Sequence, residues 1–186
     1  MIEIIPYQPR WAEEFSSIAA KIRSAVGDKA VAIHHIGSTS VPNLAAKDVI
    51  DIQVTVADLE VPIEMPLTQI GFEPTQIRED HRPPGMTLPP NDLMKRYYRV
   101  KDRRINLHIR KRGTFNQRYP LLFRDYLRAN PVARDAYGEI KRQLARYFPE
   151  NVDAYYDVKD PVCDLVILGA FEWAKANQWE PGPSEV

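Results

Sequence analysis

His35-Ile36-Gly37-Ser38-Thr39-Ser40 ends one apolar run, Ala30 to Ile36, and Asp48-Val49-Ile50-Asp51-Ile52-Gln53-Val54 begins another that carries an acid. The order is strand, Gly-Ser turn, loop, acid-bearing strand. Gly37 lets the backbone approach an anion closely. Successive backbone N–H groups in such a turn make a concavity that takes phosphate, and the Ser38, Thr39 and Ser40 hydroxyls add donors. The turn and Asp51 are the first candidates for a phosphate-handling site.

Alternation along the strands says which side chains join them. From Val49 onward, Ile50, Ile52, Val54 and Val56 point one way, while Asp51, Gln53 and Thr55 point the other. Further on, Ile105, Leu107 and Ile109 share a face, opposite Arg104, Asn106, His108 and Arg110; the strand before groups Lys95, Tyr97, Arg99 and Lys101. With the apolar faces against helices, the other face gathers an acid, two amides, a histidine and several cations. A solvated sheet face shows the same pattern, and alternation leaves both accounts open. Residues 95–112 hold nine lysines and arginines against one acid, Asp102. Such a hairpin suits a phosphorylated ligand, small or polymeric; charged edges that discourage strand pairing are the plainer account.

Twenty-five basic residues balance 25 acidic ones, so no whole-molecule field draws the chain to nucleic acid or membrane. A length of 186 residues with 44% apolar content suits one core, and residues 1–186 are expected to form a single domain. Cys163 is the one cysteine, which excludes an intrachain disulfide and a cysteine metal cluster. The first residues lack the basic start and apolar stretch of a signal peptide, and no run nears the ~20 apolar residues that span a bilayer. A cytoplasmic protein without membrane association is expected.

The chain divides into an α/β part, 1–112, and a helical tail, 113–178. A helix runs from Pro9 to about Ala25 on the stripe Trp11, Phe15, Ile18, Ala19 and Ile22. Strands are expected over 30–36 and 49–56, a short helix from Pro62 to Gly71, and a weak strand over 72–75. The proline-rich stretch 78–92 reads as a long loop of the lid or binding type. A hairpin covers 95–111, and helices cover 115–129, 132–147, 152–158 and, opened by Pro161, 161–177. This is an α+β arrangement with helices packed on one face of a sheet.

The run His35 to Ile52, with Val41-Pro-Asn-Leu-Ala-Ala-Lys47 between turn and strand, closely resembles the signature of the GrpB family. Phe123-Arg-Asp-Tyr-Leu-Arg-Ala-Asn-Pro131, followed by Tyr137, Lys141, Leu144, Tyr155 and Lys159, resembles the same family's tail. The resemblance spans Tyr7 to about Ala174. It implies a nucleotidyltransferase-like fold with a mixed or antiparallel sheet and a C-terminal helical extension. It also implies a relation to the accessory domain fused to some bacterial dephospho-CoA kinases, and hence a kinase-type protein partner. The family's own activity is poorly defined. Asp48 stands where the family usually has proline, a change expected to alter the loop more than the chemistry.

These observations give an expected function: binding of a nucleotide or other phosphorylated small molecule, with metal-assisted transfer as an extension. Gly37, Ser38, Thr39, Ser40, Lys47, Arg99 and Arg110 are expected to hold phosphate, and Asp51, His108 and His35 to act on it. Two-metal catalysis clamps ions ~3.5–4 Å apart between carboxylates. The resemblance to nucleotidyltransferases implies a second acid two residues beyond the first and another on a neighbouring strand, where this chain has Gln53 and then Asn106 and His108, which argues against an ordinary two-metal enzyme. Mg²⁺ or another divalent ion on Asp51 and His108 is the remaining metal expectation, a pair that suits a transition metal better than Mg²⁺. His34, by strand parity, is assigned to packing or solvent. The alternatives are a non-enzymatic accessory or interaction module and, less favoured, nucleic-acid binding through the 95–112 hairpin. His81 and Cys163 carry no functional reading.

Overall fold

Two apolar stripes, one of helical and one of strand period, meet to make the core. The computed structural model describes residues 1–186. Helix α1 (Arg10–Val26) buries Trp11, Phe15, Ala19, Ile22 and Val26. They lie against the even residues of β2 (Ile50–Val56) and the odd residues of β5 (Ile105–Lys111). Each valine, isoleucine, leucine or phenylalanine among them contributes about 1.5–3 kcal/mol when taken fully from water. With β1 (Ala32–Ile36), β3 (Glu73–Pro74) and β4 (Lys95–Arg99), these strands form a five-stranded sheet of order β1-β2-β5-β4-β3. Strands β2 and β5 run parallel and the other neighbours antiparallel, so the sheet is mixed as expected.

Helix α2 (Glu64–Gln69) shares the apolar face with α1. The helical extension follows as α3 (Phe115–Ala129), α4 (Pro131–Tyr147) and α5 (Val152–Ala176). In addition, α3 lies over part of the polar face, where Gln53 Nε2 donates to the Gln117 carbonyl at 2.9 Å. The expected break at Pro161 is absent: α5 is one helix with Pro161 inside it. Proline removes one backbone bond from a helix interior, but packing of α5 against α3 and α4 through Val162, Val166, Ile167 and Ala170 carries the helix past it. No helix is long and apolar enough to cross a membrane.

The proline-rich segment is tied down at both ends. Asp80 N–H bonds the Leu93 carbonyl at 2.9 Å and Lys95 N–H bonds the Arg78 carbonyl at 2.8 Å. The Asp80 carboxylate is clasped by Lys95 Nζ (2.6 Å), Arg110 Nε and Nη2 (2.8 and 2.9 Å) and Asn116 Nδ2 (3.0 Å).

Asp48 does more than shape its loop. Its carboxylate receives Trp11 Nε1 at 2.7 Å, Arg103 Nη2 at 2.7 Å and Arg10 Nη2 at 2.8 Å, so it joins α1, the β4–β5 turn and the start of β2. The Trp11 ring is wholly buried, and removing its acceptor leaves the indole N–H unpaired. Asp48→Ala is expected to cost roughly 1–2 kcal/mol in urea unfolding, the partial exposure of the ion pairs limiting the rest. A change within a few tenths would show that water replaces the carboxylate.

Candidate functional site

Strand register sorts the expected residues into two groups. Cross-strand pairing places Asp51 opposite Asn106, and Gln53 opposite both His34 and His108. All of these lie on the polar face, and Asn106 Nδ2 donates to Asp51 Oδ1 at 2.7 Å. His35 pairs with Ile52 and so lies on the apolar side. The expected parity of the two histidines is thus reversed.

His35 stacks on Phe15 with ring centres 4.7 Å apart, and its Nε2 meets Thr39 Oγ1 at 3.1 Å. Burial, then the Arg128 and Arg124 charges, push its pKa down to about 3. It remains a neutral brace for the turn. His34 is also buried and faces the Gly182 and Pro183 carbonyls.

Gly37, Ser38, Thr39, Lys47 and Asp51 do come together. They line a cavity of about 310 Å³ whose other wall comes from the helical tail: Tyr119, Phe123, Tyr137, Lys141, Tyr155, Tyr156, Lys159 and Cys163. Three ammonium groups enter it, each over a tyrosine face. Lys47 Nζ is 4.5 Å from the Tyr155 ring centre and 4.3 Å from that of Tyr156; Lys141 Nζ is 4.6 Å from that of Tyr137; Lys159 Nζ is 5.3 Å from that of Tyr156. Lys141 Nζ donates to Ser38 Oγ at 2.9 Å, and Lys47 Nζ to the Tyr156 hydroxyl at 2.8 Å. Burial, and then the Lys159 charge, bring the Lys141 pKa down to about 7. Burial raises the Asp51 pKa above the ordinary aspartate value, opposed by the Asn106 bond and the charges of Lys159, Arg110 and Lys47.

Gly37 has φ +70°, and a methyl group there would collide with Asp51 Oδ2 and lie 3.0 Å from its Cγ. The anion this glycine admits is the protein's own carboxylate. Ser40 turns back, its Oγ donating to the Gly37 carbonyl at 2.6 Å, and Thr39 Oγ1 donates to the Val49 carbonyl at 2.9 Å. Of the three hydroxyls, Ser38 is the one whose partner in the cavity is a lysine.

Two arginines and a histidine do not join this cavity wall. Arg110 is buried, committed to Asp80 and to Gln53 Oε1 (2.7 Å). Arg99 is exposed, with its Nε on the Tyr97 hydroxyl at 3.0 Å. His108 Nδ1 accepts from Arg110 Nη2 at 3.1 Å, and its ring lies 4.8 Å from that of Tyr97. Burial, then the charges of Arg110 and Lys95, set its pKa well below the ordinary value. Of the expected Asp51–His108 metal pair, the cavity wall therefore holds Asp51 alone. A divalent cation also fits the cavity poorly, because Asp51 is its one carboxylate and three ammonium groups face it. No three His, Cys, Asp or Glu side chains cluster to hold a metal anywhere in the structure.

The missed residues carried a readable signal. Lys141 falls in the buried stripe Tyr137, Gly138, Lys141, Leu144 of α4, and a lysine within an apolar stripe is rarely there for solubility.

The family model described as GrpB protein matches residues 1–167. The chain belongs to the GrpB family. It is 38% identical over 171 residues to UPF0157 protein BH1888 of Halalkalibacterium halodurans, covering 91% of this chain and 82% of that protein. It is 35% identical over 195 residues to a dephospho-CoA kinase of Mycobacterium tuberculosis, covering 96% of this chain but 48% of the kinase. The GrpB chain thus spans about half the length of such relatives. Among solved structures, the conserved protein GrpB from Enterococcus faecalis superposes with a TM-score of 0.77 at 31% identity, over 93% of this chain and 99% of that one. Cid1 in complex with its short product ApU gives 0.50 at 13% identity, over 76% of this chain and 43% of that one. The fold is nucleotidyltransferase-like.

Proposed function

We propose that this GrpB-family chain binds a phosphorylated small molecule of the nucleotide class in the cavity between the Gly37–Ser38 turn and the helical tail. The observation that carries the reading is the convergence of Lys47, Lys141 and Lys159 with Ser38 on one cavity. Lys47 and Lys159, with Lys141 as a further donor, outweigh one carboxylate and favour an anion, and tyrosine and phenylalanine walls favour a flat organic body beside it. A phosphate takes the lysines and Ser38 Oγ. Asp51, with Oδ1 held by Asn106, takes a hydroxyl or amino donor. Binding needs no resident metal, and the protein works in the cytoplasm.

The test is a thermal-shift panel of inorganic phosphate, mononucleotides and phosphosugars, with and without Mg²⁺. A ligand of the folded state at a hundred times its Kd adds about 2.7 kcal/mol of stability. Lys47→Ala is expected to weaken such a ligand about tenfold or more, since a charge-assisted hydrogen bond contributes about 1.5–3 kcal/mol. Asp51→Asn should act in opposite directions on two ligands. Removing a like charge tightens inorganic phosphate, while losing the stronger acceptor weakens a ligand that donates a hydroxyl. A panel without shifts would overturn the reading.

The dephospho-CoA kinase relatives support a second reading, a non-enzymatic module that assists a kinase-type partner; co-purification with such a kinase, undisturbed by Asp51→Asn, would favour it. The hairpin offers little to nucleic acid. Lys95, Arg96, Lys101, Arg103, Arg110 and Lys111 each hold an acid, so releasing them for phosphates would break existing pairs.

A further inference from the structure

We propose that Ser38 is a nucleophile for phosphoryl transfer and that Lys141 is the base that takes its proton; this rests on the phosphate-pocket reading and adds a reaction to it. A serine hydroxyl is a weak nucleophile until a base within hydrogen-bond reach removes its proton. Lys141 Nζ stands 2.9 Å from Ser38 Oγ in the wall of the cavity. Its partner there is a hydroxyl, whereas the buried Lys95 holds Asp80 and Lys159 holds Asp160. Lys141 is only 2% exposed, and a buried lysine without a carboxylate is driven toward its neutral form.

The cations facing it act in the same sense. Lys159 from α5, Arg142 from its own helix and Lys47 from the β1–β2 loop all disfavour its positive charge; Cys163 from α5 is the neighbour that favours it. Tyr137 and Asp51 complete the surroundings. With its pKa brought down to about 7, Lys141 gives up its proton far more readily than an ordinary lysine at neutral pH. A lysine placed only to neutralise phosphate has no use for such an environment. Lys47 and Lys159 already supply fixed positive charge for the oxygens of the transferring group.

In the step, a bond forms between Ser38 Oγ and phosphorus as the bond from phosphorus to the leaving oxygen breaks. The serine proton passes to Lys141 Nζ, and the leaving oxygen keeps the electron pair. With an acyl phosphate as donor, acetate departs as the carboxylate and the product is phosphoserine. Water then takes the phosphoryl group, releasing inorganic phosphate and restoring the hydroxyl.

The experiment incubates the full chain with acetyl phosphate and follows intact mass and modified peptides over time. One phosphoryl group on Ser38 is expected, with a rate that rises through about pH 7. Lys141→Met should slow it about a hundredfold. Lys159→Met should move the pH profile to higher pH, because removing a neighbouring cation raises the Lys141 pKa; a merely structural lysine would leave the profile in place. Modification of another residue, or a Ser38 rate unchanged in Lys141→Met, overturns the assignment. The thermal shift by inorganic phosphate is read on the same samples. Absence of both phosphoserine and any release of inorganic phosphate faster than in a protein-free blank, with that shift intact, overturns the covalent step alone, and no shift in the unmodified chain overturns the phosphate pocket with it.

Discussion

Asp80→Ala is expected to destabilise the fold by about 3–5 kcal/mol, the usual result of removing one partner from a buried charge cluster. Arg110 and Lys95 would remain with side chains 6% and 8% exposed and no counter-charge. The same change takes one of two acceptors from Asn116 Nδ2, which keeps the Met94 carbonyl, and leaves the segment after β3 held to the sheet there by backbone bonds. Urea unfolding measures the loss directly, with an unchanged slope if the denatured state is unaffected. Acid has a related effect. Burial opposes the Asp80 charge, but Arg110 and Lys95 hold its pKa well below the ordinary value. A group depressed in the folded state stabilises fully above its unfolded pKa and loses that contribution as pH falls. Stability should therefore decline below the ordinary aspartate value of about 3.9, and Asp80→Ala should flatten that decline. A loss under about 1 kcal/mol would mean that water reaches and solvates the two cations.

This clasp shows what the sequence displays and what it hides. Strand period was readable because one face of β2 and β5 is continuous hydrocarbon, and from it followed the shared face of Asp51 and Asn106. Arg110 shares that face too, yet a surface-like residue type gave no sign that Asp80, 30 positions earlier in a proline-rich loop, would bury it. Free and committed cations look alike in a sequence. Parity fails at the two histidines for a local reason, since either could begin the turn and only pairing with Ile52 or Gln53 decides which faces inward. The helical wall of the cavity lay in plain view as Tyr137, Lys141, Tyr155 and Lys159, but placing it over the turn requires the docking of three helices, which no local pattern encodes. Asp48, thought of as a loop variant, proves to hold Trp11 for the same reason: its partners are 37 and 55 residues away.

Gly37→Ala is expected to abolish ligand response and to weaken the fold more than the same change at any other left-handed glycine. At φ +70° the backbone is strained for alanine, about 1–2 kcal/mol by itself. The added methyl then meets Asp51 Oδ2, and that carboxylate has little room to retreat because Asn106 fixes Oδ1 at 2.7 Å. Overpacking of this kind adds roughly 1–3 kcal/mol. Gly113 provides the comparison: its φ is +84°, but a methyl group there meets nothing within 4 Å, so Gly113→Ala bears the backbone cost alone. The difference between the two variants holds the clash together with any difference in backbone cost, since Gly37 has ψ −174°. Combining Gly37→Ala with Asp51→Gly should recover most of that difference, giving a coupling energy of about 1–3 kcal/mol in a double-mutant cycle. Phosphate response should return in the double variant if the turn, with Ser38 on it, is what holds the anion, since the clash that displaced it is gone. Equal losses at Gly37 and Gly113 would mean that the turn shifts freely, and that the approach of backbone to carboxylate does not shape the site.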